Sequence, residues 1–335
     1  MSRQFGQGET MRSASVIIPF YQRETGLLTR AVKSVLDQKE VQIREIIVVD
    51  DGSPVPADQE LSPLRERYPD TIKLYKQKNA GSGAARNTGL EKLSRNVEFV
   101  SFIDSDDAWF DDFLANAITA LEAGYDFFFS DFYFPLYKEK TAFNRAGKIN
   151  PVEHMKLPVG IGCYEYRGDM FDQILVTGNV IGGSTFAYRF NKFPDLRYRE
   201  GYFTCEDYLF YLDFSLRSGK FCFSTHPGCD CGMGVSVFSG AAWGSAHLLR
   251  RLHSEIKAWR FAQNAYSLSA EQATANLARL NDRRRNFGLN LLHMVRHRPK
   301  ELEWAVVFDL FRTDPAALLW CAKAMTEAML SRMSR

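Results

Sequence analysis

Nowhere in the 335 residues does an uninterrupted apolar run approach the roughly 18 positions that a membrane-spanning helix requires. The first 13 residues are polar and lack the apolar core of a secretory leader, so they read as a disordered lead-in with no signal peptide. Without export, the six cysteines (163, 205, 222, 229, 231 and 321) read as reduced cytosolic thiols. Cys222, His226, Cys229 and Cys231 crowd together, but Cys-x-Cys is not the two-residue zinc-knuckle spacing and no second pair follows. No structural zinc is expected there. There are no internal repeats, and charge of neither sign dominates, the net being +2. That balance conceals an asymmetry. From His247 to Arg335 there are 15 Lys and Arg against 8 Asp and Glu, whereas the first 246 residues carry 27 against 32. An acidic half suits metal binding; a basic tail suits an anionic surface such as a membrane face, or is simply a solvated helical face.

What is present is ordinary globular composition and length for one large α/β domain with a smaller appendage. Ser15–Phe20 and Glu45–Val49 are short apolar runs, the signature of strands buried on both faces. Between them Leu28, Ala31, Val32, Val35 and Leu36 recur at helical spacing. A helix over Leu61–Arg67, a strand over Ile72–Tyr75, a helix over Ala84–Leu93 and a strand over Val97–Ile103 continue the alternation. This predicts a mostly parallel, Rossmann-like sheet flanked by helices, with ligands beyond the carboxyl ends of the strands. The polar clusters at 50–53 and 104–107 fall at such ends. Residues 126–137, dense in Phe and Tyr, predict a further strand. The stretch from Thr141 to Glu165 reads as a long loop, Glu206–Leu216 as a helix opening with two acids, and everything beyond His247 as helical.

Asp104, Ser105, Asp106 and Asp107 directly follow an apolar strand. Clustered carboxylates repel, and a hard divalent cation with oxygen ligands offsets that cost, although Asp-rich turns also occur without one. Asp50 and Asp51 run into Gly52 and Ser53, either a turn closed by Asx hydrogen bonds or a carboxylate that accepts from a uracil imide, with Tyr21 offering an aromatic face. In Asn79–Gly89, glycines ahead of a helix let backbone N–H groups approach an anion that Arg86 can reach. Arg86 stands where a dinucleotide fingerprint needs its third glycine, and no P-loop Lys-Ser/Thr pair follows, which argues against a dehydrogenase or an NTPase.

Taken together, Ser15-Val-Ile-Ile-Pro-Phe-Tyr21, Glu45-Ile-Ile-Val-Val-Asp-Asp-Gly-Ser53, Asn79–Gly89, Phe102-Ile-Asp-Ser-Asp-Asp107 and Cys205-Glu-Asp207 resemble the family 2 glycosyltransferases of the GT-A fold, five motifs in family order. The one departure is Gln22, where the family often has Asn. The resemblance implies that Pro19, Tyr21 and Asp51, with Asp50, hold a uridine beside Arg86. It implies that Asp104 contacts the ribose and Asp106 ligates Mg²⁺ or Mn²⁺ at the diphosphate, with Asp104 the second candidate ligand. Asp207 would be the general base on the acceptor hydroxyl, and inversion of an α-linked donor would give a β-glycoside.

Within the family, Pro19–Glu24 and Asp50–Pro56 resemble bacterial succinoglycan-type exopolysaccharide glucosyltransferases. The partners so implied are a UDP-sugar donor and a lipid-linked oligosaccharide acceptor at the inner membrane face, with a cytoplasmic, peripheral location. The domain organisation expected is a lead-in over 1–13, a glycosyltransferase domain over 14–240 and a helical region over 241–335. Within that domain, 14–130 would bind the nucleotide-sugar and 131–240 the acceptor. In the last helix Leu318, Leu319, Ala322, Met325 and Met329 share one face, followed by Arg332 and Arg335, which suits a bilayer surface, a core or a homodimer contact. A sugar-1-phosphate nucleotidyltransferase would need a Gly-rich, Arg-bearing loop after the first strand, where this chain has Pro-Phe-Tyr-Gln-Arg. A non-catalytic sugar-nucleotide sensor would carry a broken acid set, and nucleic-acid binding has no recognisable module.

Overall fold

The computed structural model describes residues 12–235 and 240–333, excluding the side chains of Met325 and of residues 327–333. The expected lead-in therefore lies outside the described residues up to position 11, as do the side chains of Met325, Met329 and Arg332, and Arg335.

Continuous apolar runs become the central strands. In β1 (Ser13–Phe20) and β2 (Gln42–Asp50) the buried residues are consecutive, as two-sided coverage demands. β3 (Ile72–Lys76) pairs parallel with β2, β2 with β1, and β1 with β4 (Phe99–Phe102). Helices α1 (Leu27–Leu36), α2 (Ala57–Arg67) and α3 (Ser82–Glu91) connect them. On α1 the predicted Leu28, Ala31, Val32 and Val35 are the buried face. α3 lies so close to β1 that a Cβ on Gly89 would come within 2.4 Å of Ile17 Cγ2, so this contact needs a residue without a side chain.

Beyond β4 the sheet becomes mixed. β5 (Ala108–Trp109), α4 (Phe113–Glu122), β6 (Phe127–Tyr133), β9 (Phe186–Arg189) and β10 (Phe221–Asp230) extend it. The full order is β3-β2-β1-β4-β9-β6-β10, then β8 (Cys163–Glu165) and β7 (Met155–Lys156), with β5 paired to β10 off this path. The Phe-rich segment forms β6 as predicted, and its Phe127 ring stacks on Phe186 with centroids 5.1 Å apart. The stretch 141–165 differs from the loop expected. It carries α5 (Ala142–Ala146), β7 (Met155–Lys156) and β8 (Cys163–Glu165), because β10 presents a free edge that β8 pairs antiparallel. Segments this short leave no periodicity to read.

The chain divides into two compact units. Of the described residues, one comprises 12–170, 179–197 and 214–235, the other 171–178, 198–213 and 240–333. The division does not follow one boundary near 240: two excursions, 171–178 and 198–213, belong with the C-terminal helices. α6 (Met170–Asp172) leads into the first excursion, and α7 (Glu206–Ser215) begins in the second. Within the second unit Ser254 Oγ accepts from the Phe203 and Thr204 N–H groups, and the Tyr208 ring packs edge-on against Trp259. Its core joins Leu249, Leu252 and Ile256 of α8 (Ala246–Ala265) with Leu280, Phe287 and Met294 of α9 (Ala270–His297). α10 (Trp304–Thr313) and α11 (Ala316–Met333) add Val307, Leu310, Ala317 and Cys321.

In the first unit one ionic cluster pins β2 to its neighbours. Glu45, 1% exposed, accepts from Lys73 Nζ, from Ser94 N–H and Oγ, and from Ser15 Oγ. Burial alone would raise its pKa, but the bonds from Lys73 and Ser94 outweigh burial and hold it below the usual glutamate range. A carboxylate so held contributes stability in full above its unfolded pKa of about 4.3, and loses it as pH falls through the lower folded value. Glu45→Gln is therefore expected to cost about 1–3 kcal/mol at neutral pH. In urea titrations that deficit should shrink as the solution is acidified through this window; a pH-independent deficit would refute the ionic contribution.

Candidate active site

The carboxyl ends of β1, β2 and β4 bring together the first four motifs. Pro19 is in β1, paired to Val49, and Tyr21, half-buried, directly follows that strand. Asp50 closes a turn: its Oδ1 accepts from Ser53 N–H at 2.8 Å and its Oδ2 from Ala57 N–H at 3.0 Å, at the start of α2. Asp51 organises the glycine segment ahead of α3. Its Oδ1 accepts from Gln77 Nε2 and Ala80 N–H, both at 2.8 Å, and its Oδ2 from Gly81 N–H at 2.9 Å. Gly81 takes φ 93°, a left-handed conformation open to glycine, and so lets the chain turn into the helix. Asp50 thus makes the turn hydrogen bonds of the alternative reading, whereas Asp51 reaches across to the segment ahead of α3; any contact with a base would add to these.

Beyond β4 the acidic loop is held by donors from distant segments. Arg86, buried on α3, donates Nη2–H to Asp104 Oδ1 at 2.6 Å. Ser184 Oγ accepts from Asp104 N–H at 2.8 Å. Gly234 N–H donates to Asp106 Oδ2 and Gly232 N–H to Asp107 Oδ1, each at 2.7 Å. Burial, then the Asp104 charge, raises the pKa of Asp106, against the pull of the Gly234 N–H. Asp107 is pushed up to about 7 by burial and by both neighbouring carboxylates. Such a cluster favours a cation at its mouth. The donor set fits a hard divalent ion. Asp104 and Asp106 offer the carboxylate oxygens such an ion takes, and Gly183 leaves space beside Asp104: a Cβ there would lie 3.4 Å from Asp104 Oδ2 and 3.8 Å from Arg86 Nη2.

Three contributors escaped sequence reasoning. Gln22, noted only as a departure from Asn, is buried; its Nε2 donates to Ser105 Oγ at 3.0 Å and its Oε1 accepts from Val235 N–H at 2.9 Å. It therefore ties the end of β1 to the acidic loop and to the 232–235 segment. Gly232 and Gly234 act through backbone N–H groups, which leave no residue-type signature beyond the glycines themselves. A Cβ on Gly232 would fall 1.7 Å from the Asp106 carbonyl oxygen, so only glycine fits. The zinc grouping also resolves differently. Cys222 Sγ lies against Phe127 O and His226 Nε2 against Asp112, whereas Cys229 and Cys231 face Asp107.

Asp207 lies in the second unit, near the start of α7. It is half-buried, Glu206 beside it is buried, and its Oδ1 accepts from Tyr208 N–H at 2.7 Å. The preceding Cys205 is held at φ 73°, a left-handed conformation costly for a residue with a side chain and characteristic of functional positions.

A family model described as Glycosyl transferase family 2 matches residues 15–197. Succinoglycan biosynthesis protein ExoW of Rhizobium meliloti (strain 1021) is 41% identical over 111 residues, covering 33% of this chain and 34% of that protein. Minor teichoic acid biosynthesis protein GgaA of Bacillus subtilis (strain 168) is 39% identical over 117 residues, covering 34% of this chain and 24% of that protein. The matched stretches thus span about a quarter to a third of these relatives' length. Among solved structures, mannosyltransferase PcManGT from Pyrobaculum calidifontis, in complex with GDP-Man and Mn²⁺, is similar with TM-score 0.53 at 16% identity, over 94% of this chain and 86% of that one. S. aureus TarS 1–349 in complex with UDP-GlcNAc has TM-score 0.50 at 19% identity, over 85% and 73%. At these identities the likeness bears on fold, and the fold is GT-A.

The fit of Gly232 gives a direct test of the loop. Gly232→Ala should destabilise the protein by about 1–3 kcal/mol, as overpacking against backbone does. A melting temperature equal to that of the parent would show that the 232–235 segment is not packed on the acidic loop.

Proposed function

The chain belongs to glycosyl transferase family 2, and within that family we propose that it moves glucose from UDP-glucose to a hydroxyl of a lipid-linked oligosaccharide in exopolysaccharide assembly, with inversion to a β-linkage. The observation that carries this reading is the acidic loop, with Asp104 tied to Arg86, Asp106 tied to Gly234 and space left beside Asp104 by Gly183. The ExoW likeness supports the exopolysaccharide setting.

Pro19, Tyr21 and Asp51 would hold the uridine, with Asp50 acting through the turn it closes and Arg86 beside the diphosphate. Asp104, which also faces the ribose, and Asp106 would hold Mg²⁺ or Mn²⁺, whose charge offsets that on the departing diphosphate. Asp207 accepts the proton of the acceptor hydroxyl as that oxygen attacks the anomeric carbon from the face opposite UDP. The anomeric C–O bond to the diphosphate breaks as the new one forms, and UDP leaves. Base and leaving-group duties thus fall to separate carboxylates.

Domain roles follow the same reading: residues 14–130 serve the donor and 131–240 the acceptor. A lipid-linked acceptor requires access to a bilayer surface. Among the described residues no helix is long and apolar enough to cross a membrane. The C-terminal helices offer an outward apolar face instead. Trp304 and Phe308, one turn apart on α10, stack with centroids 5.9 Å apart, and Phe308 is 65% exposed. On α11 Leu318, Leu319 and Ala322 are exposed while Ala317, Cys321 and Ala324 are buried, so the core reading of that predicted face does not hold for these three residues. Exposed Lys300 and Lys323 lie in the same stretch, while Arg312 is paired with Asp309 and Glu301 is also exposed. The apolar residues of such a surface suit peripheral docking on a bilayer at the cytoplasmic face.

UDP release from a panel of UDP-sugars, with Mn²⁺, Mg²⁺ or EDTA and with or without bacterial glycolipid extract, tests the activity. Metal-dependent turnover of UDP-glucose, raised by the extract, is expected; turnover of another donor alone would overturn the glucose assignment. Asp106→Ala should abolish metal-dependent donor binding. Asp207→Asn should leave UDP affinity intact and slow transfer on the order of 10²–10⁴-fold; undiminished transfer would remove Asp207 from the role of base. Vesicle sedimentation with Trp304→Ala/Phe308→Ala should show about tenfold weaker binding to anionic liposomes. Unchanged vesicle binding, with a dimer converted to monomer, would assign the face to self-association.

A further inference from the structure

β5 and β10 run antiparallel, with Cys229 opposite Trp109 and Asp230 opposite Ala108. Continued by one residue, that register sets Cys231 opposite Asp107, and the Gly232 N–H hydrogen bond to Asp107 Oδ1 follows directly. Residues two apart along an extended chain face the same side, so Cys229 joins Cys231 on the face that meets Asp107. The outcome is a compact trio: Cys229 Sγ, Cys231 Sγ and a carboxylate oxygen of Asp107 all lie within 4.8 Å of one another. Two of the three residues are buried and Cys231 is partly exposed. Cys-x-Cys fails as a zinc-knuckle spacing because that rule describes a turn; on an extended strand the same spacing puts both thiols on one face.

From this geometry we propose that Cys229, Cys231 and Asp107 form a binding site for a thiophilic divalent cation of the Zn²⁺ class, separate from the all-oxygen pair Asp104 and Asp106. Two thiolates and a carboxylate suit a soft-to-borderline metal, which hard Mg²⁺ would not displace. Binding takes one proton from each thiol, and any proton held by the Asp107 carboxyl, and releases them to solvent. The Gly232 N–H and the Ser184 hydroxyl already orient the Asp107 carboxylate, as outer-shell donors do around metal ligands. Three protein ligands leave a fourth position for water. The bound ion would fasten the end of β10 to the acidic loop, and with it the Gly232–Gly234 segment whose N–H groups hold Asp107 and Asp106.

Co²⁺ added to the reduced full-length chain is the probe. A thiolate-to-cobalt charge-transfer band in the near ultraviolet reports sulfur ligation alone, because Co²⁺ on oxygen ligands gives none. The band is expected to appear, to persist in excess Mg²⁺ and in Asp106→Ala, to be bleached by Zn²⁺, and to vanish in Cys231→Ser while surviving in Cys205→Ser. In the unaltered protein, Zn²⁺ should suppress alkylation of Cys231 read by mass spectrometry, a measurement that needs no variant to fold. Absence of the band, its persistence in Cys231→Ser, or alkylation indifferent to Zn²⁺ would overturn the site.

Discussion

Carboxylates at 104, 106 and 107 crowd one strand end, and the surrounding architecture supplies the donors that make this tolerable. Arg86 comes from a helix after the third strand, Ser184 from the approach to β9, and the Gly232 and Gly234 N–H groups from the exit of β10. Gln22 joins that exit to the end of β1. Segments separated by up to 213 positions in sequence therefore meet around the four residues 104–107. Arg86 offsets the charge of Asp104, whereas the serine and backbone donors are neutral and orient carboxylates without cancelling them; the negative charge that remains is what the proposed cation would meet.

Asp51 plays a parallel part at the end of β2. Its carboxylate gathers Gln77, Ala80 and Gly81, and so sets where α3 starts and where Arg86 points from. The two acidic motifs are thus coupled through one helix: the first fixes the helix that carries the cation paired with the second. Residues that read as alternative binding groups in the sequence also serve as the scaffold of the site.

The parallel half of the sheet was legible because two-sided burial forces uninterrupted apolar runs, and the strand-end motifs were legible because clustered aspartates and glycines directly follow those runs. The C-terminal helices announced themselves by periodicity. Other features left no such trace. β8 spans only Cys163–Glu165, too short for any period, and backbone donors such as Gly234 N–H exist whatever the side chain. The 198–213 excursion joins the second unit through Ser254 and Trp259 with no change of composition at its borders. The Cys229–Cys231 pair was visible but was weighed with Cys222 and His226, because sequence neighbours are the only partners a linear reading offers. Its partner in space comes from 122 positions upstream, by strand register.

The position of β9 between β4 and β6 has a consequence for the order in which the molecule can be made. β3, β2, β1 and β4 have all left the ribosome once residue 102 is through, yet the outer edge of β4 is closed only by Phe186–Arg189. At typical synthesis rates that delay lasts roughly 5–15 seconds. During it, an all-buried Phe-Val-Ser-Phe strand presents unpaired backbone groups, the condition under which edges recruit wrong partners. Nascent-chain survival, before any catalytic property, thus depends on how this edge is shielded until β9 arrives.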